Sequence, residues 1–340
     1  MKTRSAALRW GFVGTGKIAN WMADVVRKTP MVELAAVASR SIDTASAFAM
    51  RHGAGRAFGS WAEMLAWEGI DAVYVATPTA LREEICIAAA AAGKHVLAEK
   101  PFASLASLRR ITAACRDHGV AFMDATHFVH HPRTAEILAR TGEITGRPQS
   151  LESSFLVTLA DRSDIRYDPA LEPLGALGDL GWYNMRAVVE YLSPERGLRS
   201  VHARLRRDPQ TGAIIAGEGS LTFEDDTVCS WRCGFDADTV AIELRLSGRR
   251  GEIQMDNFIG EDQDGSATYR DSRTGEAAAL VRVASPFSAP SLMFQDFAAS
   301  AGDASLRERW ILASERTQSL LDAVREAAEK DIQPCVPART

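Results

Sequence analysis

The chain has 340 residues, 46% of them apolar and 24% charged, with a net charge of −5. That length supports two domains with real cores, and the composition is that of an ordinary soluble globular protein. Lys and Arg are scattered, which argues against a nucleic-acid footprint or a polybasic membrane face, and the longest apolar runs, such as Ile85 to Gly93, are too short to span a bilayer. The basic start, Met-Lys-Thr-Arg-Ser, leads into a strand too short and too mixed for a signal h-region. Five cysteines, Cys86, Cys115, Cys229, Cys233 and Cys335, are widely spaced and show no zinc pattern, so free thiols in a reducing cytoplasm are expected.

The first elements alternate. Leu8–Val13 reads as a buried strand that ends in Gly14-Thr15-Gly16-Lys17-Ile18-Ala19. This G-x-G-x-x-A turn opens an amphipathic helix over Lys17–Lys28. Gly14 permits a tight turn, Gly16 lets backbone N–H groups approach a pyrophosphate, and the small Ala19 allows close helix–strand packing. A second strand, Val32–Ala38, runs into Ser39-Arg40-Ser41 and a helix over Asp43–His52. No carboxylate stands at that strand end to accept from a ribose 2′-hydroxyl. Arg40 can instead pair with a 2′-phosphate, and Ser39 and Ser41 can donate to it or cap the helix. The pattern therefore favours NADP(H), with NAD(H) as the alternative.

Asp71–Ala76 is the next strand, followed by Thr77-Pro78-Thr79 and an Ala-rich helix over Ala80–Ala92. In a doubly wound sheet these Thr hydroxyls face a cofactor, although a plain strand-to-helix turn needs the same residues. His95–Ala98 is a strand ending in Glu99-Lys100-Pro101. A Lys there projects into the ligand crevice, where it can hold a substrate oxygen or tune a neighbouring hydroxyl, and Pro101 is a candidate cis proline. Leu105–His118 reads as a helix and Val120–Met123 as a strand. The His127, His130 and His131 cluster that follows has no adjacent carboxylate. On a strand His127 and His130 would face opposite ways, so no metal site is expected, while His127 suits a substrate pocket.

After Gly146 the pattern changes. Gln149–Leu159 alternates as a strand, and Gly178–Leu192 reads as a helix that places Asp179 and Tyr183 on one face. A carboxylate beside a phenol can position a hydroxyl and relay its proton, or simply start the helix beside a core tyrosine. Gly175, Gly178 and Gly181 are costly in a helix unless something approaches the backbone closely, and a nicotinamide or substrate is the expected reason. Arg166, Tyr167 and strands after residue 230 are expected to line the same pocket. Strands follow over Val201–Arg206, Ile214–Phe223, Val228–Gly234, Ala241–Leu246 and Glu252–Met255, and helices over Leu292–Ser300 and Glu308–Glu329 close the chain. The fold class is thus α/β: a Rossmann-type doubly wound parallel sheet over residues 1–125, then an α+β domain over 126–340 with an open, mainly antiparallel sheet. The last helix is expected to pack back on the first domain.

In order along the whole chain, Gly14–Ala19, Ala-Ser-Arg-Ser at 38–41, Ala-Thr-Pro-Thr at 76–79, Glu99-Lys100-Pro101 and Gly178-Asp179-Leu180-Gly181-Trp182-Tyr183 resemble the Gfo/Idh/MocA oxidoreductase family. The resemblance implies that Lys100 is the catalytic lysine and Asp179 the acid that orients substrate. Tyr183 falls where the inositol dehydrogenases have His, which is similar to the dihydrodiol and sugar dehydrogenase branch and implies a Tyr acid/base. The cofactor-binding set implied is Gly14, Thr15, Gly16, Lys17, Ile18, Ser39, Arg40, Ser41, Thr77, Pro78 and Glu99. The implied activity is hydride transfer between NADP(H) and a secondary hydroxyl or carbonyl of a carbohydrate-like substrate, in a homodimer or homotetramer built through the second sheet. A cofactor-binding sensor without turnover, and a hydrolase or lyase that uses NAD transiently, are the competing readings. Lys100, Asp179 and Tyr183 together argue against the first, and Ser39-Arg40-Ser41 against the second.

Overall fold

Residues 7–330 are described by a computed structural model, and Cys335 lies outside them. The first elements are β1 (Leu8–Val13), α1 (Lys17–Lys28), β2 (Val32–Ala38), α2 (Ile42–His52), β3 (Arg56–Phe58), α3 (Trp61–Leu65), β4 (Ala72–Val75), α4 (Thr79–Ala91), β5 (His95–Ala98), α5 (Leu105–Asp117) and β6 (Phe122–Asp124). Their strands form one parallel sheet in the order β3-β2-β1-β4-β5-β6. The order reverses between β1 and β4, and a doubly wound sheet opens its ligand crevice at that point, beyond the carboxyl ends of the strands. β3 and α3, three and five residues long, are absent from the sequence-based reading because so few residues accumulate no period.

Then follow α6 (Pro132–Ile144), β7 (Pro148–Thr158), α7 (Trp182–Ala187), β8 (Leu198–Arg207), β9 (Ile214–Phe223), β10 (Val228–Gly234), β11 (Asp236–Gly248), β12 (Gly251–Met255), β13 (Ala267–Arg273), β14 (Ala279–Val283), α8 (Ala289–Ala301) and α9 (Ala304–Lys330). The eight strands form a second sheet in the order β14-β13-β12-β11-β7-β10-β9-β8. Every neighbouring pair is antiparallel except β7 with β10, which run parallel. Wider π-type turns at Leu177–Gly181 and Val188–Leu192 flank α7, and they make 177–192 one continuous helical segment.

The strands of the first sheet read as continuous apolar runs because both of its faces are covered. On one face, Trp10 and Phe12 of β1 and Tyr74 of β4 are fully buried, with Phe294 of α8 stacked on Phe12 and edge-on to Trp10 and Tyr74. Phe297 completes the cluster, 4.9 Å from the Trp10 ring. α1 adds Ala19, Met22, Ala23 and Val26, a spacing that keeps one helical face on the sheet. On the other face, Ile85 of α4 and Leu108 and Ile111 of α5 join the core that continues into the second sheet.

α9 returns from the end of the chain to this sheet and grips the segment after β5. Gln318 is fully buried, and its Oε1 accepts the Phe102 N–H at 3.0 Å. Asp322 accepts the Leu105 N–H at 2.7 Å. Ser314 donates to Asp124 at the end of β6, and Arg186 of α7 donates to the same carboxylate at 2.7 Å. A buried ionic knot therefore joins β6, α7 and α9. No helix among the described residues is long and apolar enough to cross a membrane.

Candidate active site

The glycine turn is built as a turn must be. Gly14 has φ +107°, and a Cβ there would stand 2.8 Å from the Ala76 carbonyl, so only glycine lets β1 end against β4. A Cβ on Gly16 would meet nothing within 4 Å, which leaves open space over the first N–H groups of α1. That is the cradle a pyrophosphate needs. Asn20, which sequence reasoning missed, holds the turn: its Nδ2 donates to Thr15 O at 3.0 Å and Gly16 O at 2.9 Å, and its Oδ1 lies 2.8 Å from His52 Nε2. Lys17 is exposed and reaches Asp164 at 3.2 Å. Ser41 caps α2 by accepting the Thr44 N–H, while Arg40 lies exposed beside it. Cap and anion partner are thus compatible there.

Beyond the strand ends lies a cleft of about 220 Å³. Its wall brings together Ile18, Thr77, Glu99, Lys100, Asp179 and Tyr183, residues up to 165 positions apart in sequence (183 − 18). Thr77 Oγ1 is buried there without a hydrogen-bond partner, an acceptor and donor in need of a ligand. Thr79 is instead consumed internally: its N–H and hydroxyl both donate to Glu172. Pro78 occupies the N-cap position of α4 and is not part of the cleft wall. Arg82, buried and also unforeseen from sequence, ties the segments together by donating to Thr77 O, Thr79 Oγ1 and Pro101 O. Three larger hollows, about 690, 890 and 370 Å³, lie over the second sheet, beside the start of β7, and between α9 and the start of β8, all away from these groups.

Lys100 and Pro101 are joined by a cis peptide bond. The buried Lys100 ammonium donates to Asp179 Oδ1 and to Asp179 O, both at 2.7 Å. An ammonium has three hydrogens, so one remains without a protein acceptor among the described residues. The same nitrogen lies 4.8 Å from the centre of the Tyr183 ring. Asp179 also accepts from Arg166 Nε at 2.6 Å. Burial pushes the Asp179 carboxyl upward, but Lys100 and Arg166 outweigh it and hold the group down at about 2. Tyr183 is pushed well above the usual phenol range by burial, reinforced by Glu99 and Asp179, so it keeps its proton. Burial also raises Glu99, whose carboxylate accepts the Tyr74 hydroxyl at 2.5 Å.

Three expectations are corrected by packing. First, the glycines near Asp179 make room for protein: a Cβ would stand 2.3 Å from Ile214 O at Gly175, 2.7 Å from the Pro101 ring at Gly178, and 3.0 Å from Leu177 at Gly181, and of the three only Gly175 also lines the cleft. Gly178 thereby lets the Leu177–Gly181 turn before α7 approach the loop that carries Lys100. Second, His127 and His130 lie on a 3-10 turn, His127–His130, and not on a strand. His130 turns away to Asp296, whereas His127 lines the cleft with Arg166. Third, Tyr167 donates to Leu159 O and packs on Phe235, and no strand after residue 230 contributes to the wall. Among the described residues, no group of three or more His, Cys, Asp or Glu is placed to hold a metal ion.

Comparison with known proteins adds an independent line. Residues 8–126 match a family model described as "Oxidoreductase family, NAD-binding Rossmann fold", and residues 133–254 match one described as "GFO/IDH/MocA C-terminal domain". The dTDP-3,4-didehydro-2,6-dideoxy-alpha-D-glucose 3-reductase of Actinomadura kijaniata is 30% identical over 326 residues, covering 94% of this chain and 96% of that protein. D-xylose 1-dehydrogenase (NADP(+)) 2 of Haloferax volcanii is 32% identical over 263 residues, or 76% of this chain and 79% of the relative. Among solved structures, the 3-ketoreductase KijD10 of A. kijaniata with NADP and TDP-benzene superposes with a TM-score of 0.85 at 27% identity, covering 94% of this chain and 97% of that one.

Proposed function

Because the chain belongs to the Gfo/Idh/MocA family of oxidoreductases, we propose that it moves a hydride between NADP(H) and a secondary hydroxyl or carbonyl of a sugar-like substrate. The observation that carries this reading is the meeting of Lys100, Asp179 and Tyr183 in one cleft beside the glycine turn. The turn fits the cofactor: Gly16 leaves the space a phosphate needs, Thr77 offers an unpartnered hydroxyl, and Arg40 with Ser39 and Ser41 suits a 2′-phosphate. NADP is also bound by the KijD10 structure and named in the Haloferax relative. On this reading residues 1–125 carry the nucleotide, while residues 126–340 supply the substrate wall and the sheet through which copies pair. Free, buried Cys86, Cys115, Cys229 and Cys233 suit a reducing cytoplasm.

Bound nicotinamide supplies the hydride for reduction or takes it in oxidation. In reduction, Tyr183 holds a proton that it gives to the carbonyl oxygen as the carbonyl carbon takes up the hydride and the C=O π pair moves to oxygen. The free hydrogen of Lys100 bonds that oxygen, and the ammonium charge stabilises both the developing alkoxide and the phenolate left behind. Asp179 fixes Lys100 and, with Arg166 on its other oxygen, keeps it aimed across the Tyr183 ring. Oxidation runs the same transfers backwards.

The test is a pair of measurements on the purified protein. Fluorescence titration is expected to show tighter binding of NADPH than of NADH, and NADH preference would overturn the cofactor assignment. Lys100→Met is expected to abolish turnover while leaving NADPH affinity within about threefold, and Tyr183→Phe to lower kcat by ~100-fold or more. Full activity in Lys100→Met would sink the assignment.

A further inference from the structure

His52 does not line the cleft, yet it is tied to the glycine turn through Asn20. It is the last residue of α2, which ends there because Gly53 turns the chain at φ +74°. The imidazole is buried, with the Phe48 ring 4.4 Å from its own. Its Nε2 lies 2.8 Å from Asn20 Oδ1. Asn20 Nδ2 faces Thr15 O and Gly16 O, which can only accept, so Oδ1 is the atom turned to His52 and Nε2 is the nitrogen that donates. Nδ1 has no hydrogen-bond partner and stands 3.4 Å from Asp24 Oδ1. Arg51, one residue earlier, reaches the same Asn20 oxygen at 3.4 Å. The Asn20 amide is therefore held from α2 by one short bond and one long one, while it grips two successive carbonyls of the turn.

Those two carbonyls set where the donors of the turn point. A trans peptide is planar, so its C=O and the following N–H point opposite ways. Holding Thr15 O and Gly16 O towards Asn20 turns the N–H groups of Gly16 and Lys17 to the other side. The first N–H groups of a helix have no acceptor within it, and Gly16 has open space where a side chain would stand. An anion seated there meets both donors. We propose that His52 is a positioning residue for the pyrophosphate of the dinucleotide: through Asn20 it fixes the two peptide planes whose N–H groups receive the phosphates. The proposal rests on the NADP(H) reading and deepens it by extending the pyrophosphate seat to α2, whose other end is capped by Ser41 beside Arg40. One helix then serves the cofactor twice, with its start at the 2′-phosphate and its end behind the pyrophosphate.

The test uses full-length protein and fluorescence titration with NADPH and with NADH. Asn20→Ala and His52→Leu are each expected to raise both Kd values by ~10-fold, the size of one lost hydrogen bond. NADPH and NADH should suffer alike, because both carry the pyrophosphate. His52→Gln, which brings an amide donor to a similar reach, should return to within about threefold of wild type. The double variant of Asn20→Ala with His52→Leu should bind no more than about twofold more weakly than Asn20→Ala alone, since His52 acts through Asn20. Thermal unfolding of the free variants reports their folding, and His52→Phe, which keeps a ring against Phe48 without the donor, repeats the test if His52→Leu does not fold. Wild-type affinity in the folded variant that lacks the donor would overturn the proposal. So would a loss confined to NADPH, additive losses in the double variant, or His52→Gln binding as weakly as His52→Leu. NADH preference in wild type, with equal losses for both nucleotides in the variants, would overturn the NADP(H) reading and leave the positioning role standing. Wild type that binds neither nucleotide would overturn both.

Discussion

Asp179 shows how much a single side chain can carry. It is clamped between Lys100 at 2.7 Å and Arg166 at 2.6 Å, with little exposure, so its ionisation belongs to the fold as much as to the chemistry. An ordinary unfolded Asp takes up its proton near pH ~3.9. The folded one does so only at about 2. The group therefore contributes stability that is complete above pH ~5 and is lost as the pH falls towards ~2, a span worth about 2.6 kcal/mol. Arg9–Asp71, at 2.7 Å but on the surface, is screened by solvent and contributes far less. Urea unfolding midpoints of wild type and Asp179→Asn, followed from pH ~5 down to ~2, should converge as the pH drops. A gap that stays constant would show that the carboxylate charge does not stabilise the fold.

At the scale of elements, the position of Lys100 depends on a helix that begins some 200 residues later in the chain. Gln318 of α9 accepts the Phe102 N–H, two residues past the lysine. Gln318→Leu would orphan that buried donor, at a cost of about 1–3 kcal/mol. Thermal unfolding should move down accordingly, and kcat should fall with NADPH affinity preserved, since the glycine turn is untouched. Unchanged kcat in a destabilised Gln318→Leu would confine α9 to a structural role. Such dependence explains what could be read from sequence. β1, β2, β5, β9 and β10 were legible to the residue because a continuous or alternating apolar run is a local signal. Lys100, Asp179 and Tyr183 were legible because their residue types recur at strand ends and a helix start in a recognisable order. Asn20 and Arg82 were not, because their roles lie in partners that spacing does not reveal; Arg166 was expected on the cleft wall, but its pairing with Asp179 was not. Lys17 and Asp164, for instance, are 147 positions apart. The glycines around Asp179 misled for a related reason: a Gly marks a close approach without saying whether protein or ligand makes it.

For the molecule as a whole, the two sheets share more than a boundary. The Rossmann-type sheet buries Trp10, Phe12 and Tyr74 beneath Phe294 and Phe297, which belong to the other end of the chain. An aromatic side chain of this kind buries roughly 150–250 Å², so removing α8 would bare on the order of 500 Å² of contiguous apolar surface, at the upper end of what monomeric proteins expose. Residues 1–125 expressed alone should aggregate or elute as large particles in size-exclusion chromatography, whereas a monodisperse fragment that binds NADPH would disprove this. The nucleotide-binding half is thus not a portable cassette. Grafting it onto a foreign partner would require carrying α8 along as well, and on a translating ribosome that face of the early half stays uncovered until α8 has emerged.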